Sequence, residues 1–297
     1  MAQGGATPTA GATAQAQGGA AGGATAGTSG AAGSATAGAG GTGTAGAAGC
    51  TALFCDDFEV ATLGKVPGAP WSTSVSGGTI AVDTTHVHSG KQAVKIAAAA
   101  ATGYRSALLN LQKTTFLPTA SKIVYGRMLF WLDSAPTTSV HWTFIDAVGK
   151  VPGQAYRAYY RYGGQSPITN GAAFVGNELM ANYDTPDSYA MPAVGPSTDC
   201  WLHADKVVVP VGKWTCAEWK FDGVANKMQF WMDGSEVASL AMDGMGQGCV
   251  HQTEPYTWAA PSFDRIDIGW ESYQADDARN LWIDDVAIGA DKIGCPQ

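Results

Sequence analysis

The strongest constraint on the fold is a set of three neighbouring segments in which apolar and polar residues alternate. They lie at residues 214–221, 227–232 and 236–240, and the pairs Asp222-Gly223 and Asp233-Gly234 connect them. Alternation with a period of two is typical of strands that bury one face. Asp-Gly between such segments is a strong hairpin signal. We therefore expect a three-stranded antiparallel meander.

The same alternation recurs along most of the chain, and helical spacing is nowhere sustained. The further expected strands are 78–83, 92–97, 123–132, 140–147, 156–162, 265–273 and 281–288. So many strands with one apolar face indicate two packed sheets. The predicted fold is an all-β, two-sheet antiparallel β-sandwich of the jelly-roll kind. Between residues 163 and 213 the pattern weakens, apart from 179–183, and we expect a long loop-rich insertion that rims a cleft.

The chain divides by composition near Cys50. Residues 1–49 contain no charged and no aromatic residue. Such a segment cannot bury enough apolar surface to fold, so we expect a disordered Gly/Ala/Thr-rich linker. Residues 50–297 are aromatic-rich and are expected to form one domain, acting as a monomer. No apolar run approaches the ~18 residues that a membrane span needs, so no span is predicted.

The cysteines and the net charge limit the compartment and the partners. The cysteines are even in number, and no pair has the C-x-x-C spacing of zinc or redox sites; they are Cys50, Cys55, Cys200, Cys216, Cys249 and Cys295. Because no secretory signal pattern is visible, secretion is inferred from the expected disulfides. A net charge of −8 disfavours nucleic acid and anionic membranes. An acidic polysaccharide needs only a local basic cleft and stays possible.

Acidic clusters stand near both ends of the folded part, at Asp56-Asp57-Phe58-Glu59 and at Asp284-Asp285. The first and last strands of a sandwich commonly pair, which would bring these clusters together. Calcium takes about six to eight oxygen ligands, often from distant segments. Solvated turn carboxylates are the alternative, and spacing alone does not decide between them.

Segment 156–162 predicts a cationic strand face. Alternation puts Arg157, Tyr159 and Arg161 on one side and three tyrosines on the other. In segment 265–273 the residues that share a polar face are Arg265, Asp267, Glu271 and Tyr273. Arginine suits carboxylate recognition because its planar fork binds both oxygens. A solvated face or a structural stacking pair is the plainer interpretation.

A succession of motifs in consistent order carries a family resemblance. The motifs are Asp56-Asp57-Phe58-Glu59, Val82-Asp83-Thr84-Thr85, His88-Ser89-Gly90, Tyr104, His141-Trp142-Thr143-Phe144-Ile145, Arg161-Tyr162-Gly163-Gly164-Gln165, Gly269-Trp270-Glu271-Ser272-Tyr273, Trp282-Ile283-Asp284-Asp285 and Gly294-Cys295. Together they resemble the cellulose-induced secreted proteins of wood-degrading fungi. Those proteins are similar in turn to glucuronan and alginate lyases of the concanavalin A-like jelly-roll group.

The resemblance implies a structural calcium ion and one disulfide. Calcium would be held by Glu59, by Ser89 through its backbone or hydroxyl, and by Asp284. The same alignment pairs Cys216 with Cys295. The other cysteines then pair most simply as Cys50 with Cys55 and Cys200 with Cys249, although spacing does not determine connectivity.

The resemblance also implies β-elimination from a uronate-containing, glucuronan-like polysaccharide. It assigns Arg161 and Gln165 to the substrate carboxylate, with His141 and Tyr183 as candidate base and acid. Tyr159 stands where the resemblance predicts a histidine, so it joins the catalytic candidates. Three further residues are expected to bind substrate, namely Arg157, Tyr273 and Trp142.

Two other functions compete with a lyase. A noncatalytic, calcium-stabilised carbohydrate-binding module would need aromatic platforms, for which Trp142, Trp201 and Trp258 are candidates. A glycoside hydrolase would need two carboxylates about 5–9.5 Å apart. Asp267 and Glu271 are the nearest such pair, and we expect both to make structural hydrogen bonds instead.

Overall fold

A computed structural model describes residues 50–185, 198–250, 252–253 and 255–296. The expected disordered linker at 1–49 lies outside these residues. The strands are β1 Phe54–Asp56, β2 Trp71–Ser76, β3 Gly78–Asp83, β4 Ala93–Ala98, β5 Arg105–Gln112, β6 Ile123–Leu132, β7 Trp142–Lys150, β8 Arg157–Asn170, β9 Ala173–Asp184, β10 Asp199–Val208, β11 Trp214–Asp222, β12 Lys227–Met232, β13 Ser235–Glu236, β14 Met242–Asp243, β15 Gly248–Val250, β16 Ser262–Ser272 and β17 Arg279–Gly289. Within these ranges no helix has the length and apolarity to cross a membrane.

The strands form two antiparallel sheets. Sheet A has the order β13-β12-β11-β6-β17-β4-β3, with β1 paired to β17 and β14 paired to β12. Sheet B has the order β15-β10-β9-β8-β7-β16-β5-β2. This confirms the predicted two-sheet β-sandwich.

Aromatic side chains from both sheets fill the space between them. Phe130 of sheet A meets Phe144 of sheet B edge to face, with ring centroids 5.5 Å apart. Phe230 of sheet A lies 4.7 Å from the ring of Tyr162 in sheet B. All four side chains are buried. Burying a side chain of this size contributes about 1.5–3 kcal/mol, so this layer holds the two sheets together.

The predicted meander is correct for its first two strands and wrong for the third. Beyond β13 the chain forms a 3-10 turn at Ala238–Leu240 instead of a continuing strand. Val237 and Leu240 are both buried. Residues three apart share a side in a helical turn and lie on opposite faces of a strand, so burial of both residues favours the turn.

The predicted loop-rich insertion at 163–213 is largely strand. It contains most of β8, all of β9 and all of β10, while residues 186–197 lie outside the described ranges. The glycines that suggested a loop instead lie where neighbouring backbone approaches closely. A Cβ on Gly163 would lie 1.8 Å from the carbonyl oxygen of Trp142. One on Gly164 would lie 2.3 Å from that of Glu178, so neither position can carry a side chain.

The two ends of the domain meet as expected. Phe54 of β1 lies opposite Ile288 of β17, which brings the two acidic clusters close together. The three expected disulfides are present: Cys50–Cys55, Cys200–Cys249 and Cys216–Cys295. Disulfides of this kind fit a protein that folds in an oxidising compartment.

Candidate functional site

A row of mainly polar side chains crosses the outer face of sheet B, the face turned away from sheet A. Register pairs run in order through Trp201, Asn182, Arg161, Asp146, Asp267, Asn110 and Ser72. We call this row the central ladder. As predicted, Arg157, Tyr159 and Arg161 of β8 share the outer face, while Tyr160 and Tyr162 enter the core.

Arg161 lies at the middle of the central ladder and is 7% exposed. Its Nη1 donates a hydrogen bond of 2.9 Å to Asp184 Oδ2. The guanidinium carbon stands 4.4 Å from the centre of the Tyr159 ring, which is cation–π geometry. Its Nε–H has no hydrogen-bond partner among the described residues. The guanidinium is therefore held in place, and its Nε–H is left without a partner.

Carboxyl groups surround Arg161, and burial raises their pKa values. The pKa of Asp184 is raised to about 6, chiefly by burial, with Arg161 acting in the opposite direction. Asp146 and Asp267 are buried opposite one another in the ladder. Burial raises the pKa of both, and the charge of Asp267 raises that of Asp146 further. Such a pair retains a proton, so the face is less negative than its composition suggests.

Glu271 is held by two tyrosines beside the ladder. Tyr104 donates to its Oε1 at 2.7 Å and Tyr273 to its Oε2 at 2.6 Å. Burial raises the pKa of Tyr104 to about 12 and that of Tyr273 also, so both phenols keep their protons. Asp267 likewise accepts from Asn110, at 2.6 Å. Asp267 and Glu271 thus make structural hydrogen bonds, as expected from the sequence.

His141 precedes β7 and faces the same site. Its ring lies over Tyr273, with centroids 4.8 Å apart, and its backbone N–H donates to Gln274 Oε1 at 2.6 Å. Its Nε2 finds no partner among the residues that the structure describes. Burial is the main cause that lowers the pKa of His141 to about 4. The imidazole is therefore neutral near neutral pH and can accept a proton.

Tyr159 and Arg157 also lie on the outer face, but they differ in how available their polar groups are to a ligand. The Tyr159 hydroxyl accepts a 3.3 Å hydrogen bond from Arg265 Nη2, and burial raises the Tyr159 pKa. It therefore keeps a proton that it can donate. Arg157 is paired with Asp264 through both of its terminal nitrogens, at 2.5 and 3.0 Å. Its fork is occupied, so Arg157 is a weaker candidate for substrate binding than Arg161.

A cavity of about 370 Å³ lies beside Arg161, between His141 and β10. Its lining residues are His141, Gln165, Met180, Asn182, Asp199, Trp201, His203 and Val250. The structure thus brings together Gln165 and His141, which are distant in sequence. It also adds residues for which the sequence predicted no role. Of these, Asn182 is the register partner of Arg161, and His203 alternates with Trp201 along β10.

Two expected site residues are in the core, and their assignment is corrected. Tyr183 is fully buried, with its ring stacked on Trp258 at 5.7 Å. Trp142 is equally buried and is stacked on Trp270 at 4.7 Å. Each alternates with core residues of its own strand, so each side chain points between the sheets. Neither residue can meet a polysaccharide on the outer face, and Trp258 is excluded as a platform for the same reason.

The residues expected to hold calcium meet at the joined ends of the chain. Asp284 Oδ2 accepts the backbone N–H groups of His88 and Ser89, at 3.0 and 3.1 Å. Glu59 Oε1 accepts those of Lys91 and Gln92, at 2.8 and 3.0 Å. Two carboxylates from opposite ends of the domain thus flank one loop, 88–92. We call Glu59, Asp284 and this loop the clasp.

The donor chemistry of the clasp fits a hard cation. Asp284 is fully buried, and burial raises its pKa to about 7. A divalent cation would offset that cost. Among the described residues, no three His, Cys, Asp or Glu side chains converge as a metal cluster. Calcium binding would therefore also need backbone or hydroxyl oxygens, and the Ser89 hydroxyl now donates to Asp285, at 2.9 Å.

The fold and the outer face together define a jelly-roll β-sandwich with a polar, partly buried site on one sheet. Residues 57–291 match the polysaccharide lyase-like family, described as Cip1-like, core domain. The chain belongs to this family.

Two solved structures share the fold. One is a cellulose-induced protein, Cip1, at 24% identity and a TM-score of 0.54, covering 82% of this chain and 99% of that one. The other is the endo-β-1,4-glucuronan lyase of the fungus Trichoderma reesei, at 14% identity and a TM-score of 0.50, covering 81% and 96%. A search of curated protein sequences finds no match.

Proposed function

We propose that this domain is an extracellular polysaccharide lyase that cleaves a uronate-containing, glucuronan-like polymer by β-elimination. The observation that carries the proposal is the group around Arg161. A buried guanidinium with a spare donor lies on one face with Gln165, His141 and Tyr159. The family and the shared fold with a glucuronan lyase support a carbohydrate substrate. The three disulfides support action outside the cell.

Arg161 and Gln165 would neutralise the substrate carboxylate. Nη1 of Arg161 is bonded to Asp184, so the carboxylate would use the remaining N–H groups of the guanidinium, among them the unpartnered Nε–H. The amide of Gln165, on the same strand, would share the negative charge that develops when the carboxylate becomes enolate-like. Donors held in a buried site stabilise such charge more than they would in water. This interaction lowers the barrier to removing the proton at C5.

The proton transfers fall to His141 and Tyr159. Neutral His141 Nε2 would take the C5 proton, and the electrons of the C5–H bond would form the C4–C5 double bond. The bond from C4 to O4 breaks, and the Tyr159 hydroxyl gives its proton to O4. The products are a new hydroxyl end and a 4,5-unsaturated uronate. Solvent would then return His141 and Tyr159 to their starting protonation states.

Calcium has a structural place in this proposal. Glu59 and Asp284, with Ser89, would hold the ion and tie the first strand to the last. The ion would offset the charge of the buried carboxylates in the clasp, and Asp284 of the clasp lies on sheet A, away from the reacting groups. The catalytic residues act without it.

A noncatalytic carbohydrate-binding module is the second candidate. The half-buried Trp201 supports it, because the residue lines the cavity with several hydrogen-bonding groups. The existing pair of Arg161 with Asp184 supports it also, because a substrate carboxylate must compete with Asp184. Both functions use the same outer face.

An ultraviolet assay separates the two candidates. The purified protein is incubated with glucuronan, alginate and other polyuronates in the presence of calcium, and absorbance of the unsaturated uronate is followed. We expect product from wild type and from Lys150→Ala, an exposed position at the end of β7. Binding to a uronate polymer without product on the whole panel would support the binding module instead.

A further inference from the structure

We propose that the cavity beside Arg161 is a subsite for an uncharged sugar, so that the substrate joins a uronate to a neutral residue. The inference rests on the proposed function for the uronate at Arg161, and it adds the chemistry of the adjoining unit. The residues that define this neutral subsite are Asn182, Trp201 and His203, with His141 and Gln165 shared with the uronate site.

Three residues that line this cavity each carry a buried polar atom without a partner. These atoms are His141 Nε2, His203 Nε2 and Asn182 Oδ1, and none has a hydrogen-bond partner among the described residues. Buried polar atoms in folded proteins are nearly always satisfied. Three such atoms on residues that line one cavity therefore indicate a ligand with several hydroxyl groups, or several water molecules.

Existing hydrogen bonds fix the orientation of the Asn182 amide. Its Nδ2 donates to Asp199 Oδ1 and to the Cys200 carbonyl, both at 2.7 Å. This leaves Oδ1 as an acceptor without a partner, on a residue that lines the cavity. A sugar hydroxyl can donate to it, and other hydroxyls can donate to or accept from the two imidazoles, depending on their tautomer. A carboxylate could not serve Asn182 Oδ1, because it has no proton to give.

The charge of the lining also excludes a uronate. No lysine or arginine is among the described residues that line the cavity, and Asp199 supplies negative charge. A carboxylate placed there would lose its hydration without gaining a cationic partner, which is costly. A neutral sugar loses only the hydrogen bonds between its hydroxyl groups and water, and hydrogen bonds to the unpartnered atoms would replace them.

Trp201 supplies an apolar surface at the same cavity. A Cβ on Gly248 would lie 2.6 Å from the Trp201 ring. The glycine therefore allows the indole to lie close against β15. Aromatic rings pack well against the C–H faces of sugars because both surfaces are flat and apolar. An indole and several unpartnered hydrogen-bonding atoms are the components of a sugar site.

The neutral subsite adjoins the uronate site directly. Asn182 lies opposite Arg161 in the register of β8 and β9. His141 and Gln165 line the cavity, and the proposed mechanism uses both at the neighbouring uronate. A volume of about 370 Å³ is at the lower end of small-molecule pockets, which suits one sugar ring. The site therefore fits a uronate followed by a neutral sugar better than two uronates.

Calorimetry with matched disaccharides tests this subsite. One ligand is an aldobiouronic acid, a uronate linked to a neutral sugar, and the other is a diuronate with the same linkage. We expect wild type to bind the aldobiouronic acid about tenfold more tightly. Trp201→Ala and His203→Ala should each remove most of that preference while leaving diuronate affinity within about twofold. Trp131→Ala, a tryptophan on sheet A, is the matched control and should keep the preference.

The outcomes separate this inference from the proposed function. Equal affinities for the two disaccharides, or equal losses for both in Trp201→Ala and His203→Ala, overturn the neutral subsite even if polyuronates are cleaved. A clear preference supports the subsite, and the lyase is overturned if no unsaturated product forms either from polyuronates or from a polysaccharide that joins uronates to neutral sugars. If Trp201→Ala melts well below wild type, His203→Ala decides the result. Binding of neither ligand overturns the inference.

Discussion

The clasp and the central ladder both bury carboxylates, but these carboxylates differ in their hydrogen-bond partners. In the clasp, Asp284 accepts three backbone N–H groups, from His88, Ser89 and Asp285. On the outer face of sheet B, buried polar atoms lack partners among the described residues. They include Arg161 Nε, Asp146 Oδ1, Asp184 Oδ1 and His141 Nε2.

This difference separates a structural site from a binding site. Backbone donors that bond to a carboxylate hold two chain segments together, which suits a clasp. Unpartnered polar groups cost stability, and a ligand that bonds to them would offset that cost. The comparison therefore agrees with the proposed function, in which the joined chain ends stabilise the fold and the face around Arg161 binds the polysaccharide.

Removing Arg161 should give the largest effect on activity. Arg161→Gln alone would leave Asp184 buried without its cation, and breaking such a pair costs roughly 3–5 kcal/mol. The double variant Arg161→Gln with Asp184→Asn avoids this. We expect it to fold and to lose about 10³-fold in kcat/KM, since a preorganised donor contributes about 10²–10³-fold or more. Steady-state kinetics on a polyuronate, with melting curves, measure both. Activity within tenfold of wild type would break the assignment.

A pair of tyrosine variants tests the two sides of sheet B. Tyr159→Phe removes the proposed proton donor and should cost about 10²-fold in kcat. Tyr183→Phe, in the core, should leave kcat within about twofold. The kcat values on one polyuronate are compared under identical conditions. The reverse order of losses would mean that the acid is Tyr183 and that the sheet opens during catalysis.

The pH profile should be bell-shaped in the acidic range. Activity should rise as pH increases through about 4, where His141 loses its proton and becomes a base. It should fall above about 6, where Asp184 ionises and competes with substrate for Arg161, by about tenfold per pH unit for one such ionisation.

Asp184→Asn is the control for this profile. It cannot ionise, so kcat/KM should stay high above pH 6, while the acidic limb near pH 4 is unchanged. An alkaline limb that persists in Asp184→Asn would assign that limb to another group.

Calcium should act on stability with little effect on catalysis. A ligand at 100 times its Kd stabilises a fold by about 2.7 kcal/mol, which for a domain of this size corresponds to a melting shift of about 5–10 °C. We expect chelator to lower the melting temperature of wild type by that amount. Glu59→Gln should have a lower melting temperature than wild type, and chelator should change that temperature little. Indifference of wild type to chelator would leave the clasp as a hydrogen-bonded junction without a metal.

Local patterns predicted the faces of β8 and most strands outside 163–213, but they missed β2, β5, β10 and most of β9. Alternation in 156–162 placed Arg161 and Tyr159 correctly because side-chain direction is a property of a single strand. Alternation in 179–183 also indicates a core position for Tyr183, because Tyr183 shares a strand face with the apolar residues Leu179 and Ala181. The family resemblance favoured Tyr183 against that local signal, and its placement in the core was therefore missed.

The remainder of the site depends on long-range register, which one sequence does not contain. Asp146, Arg161 and Asn182 lie side by side because β7, β8 and β9 pair with particular offsets. A bulge between Thr143 and Ile145 shifts one of these offsets. Nothing local identifies which histidine shares a cavity with His141, so His203 became a candidate only through the fold.

The origin of oxygen in the product tests the central claim most directly. Wild type digests a polyuronate in heavy-oxygen water, and the products are analysed by mass spectrometry. Elimination at the Arg161 site predicts that wild type produces unsaturated ends that contain no oxygen from solvent. The double variant Arg161→Gln with Asp184→Asn should produce no unsaturated ends. Saturated fragments in place of unsaturated ends would show hydrolysis and contradict the lyase assignment, as would unsaturated ends that persist in that variant.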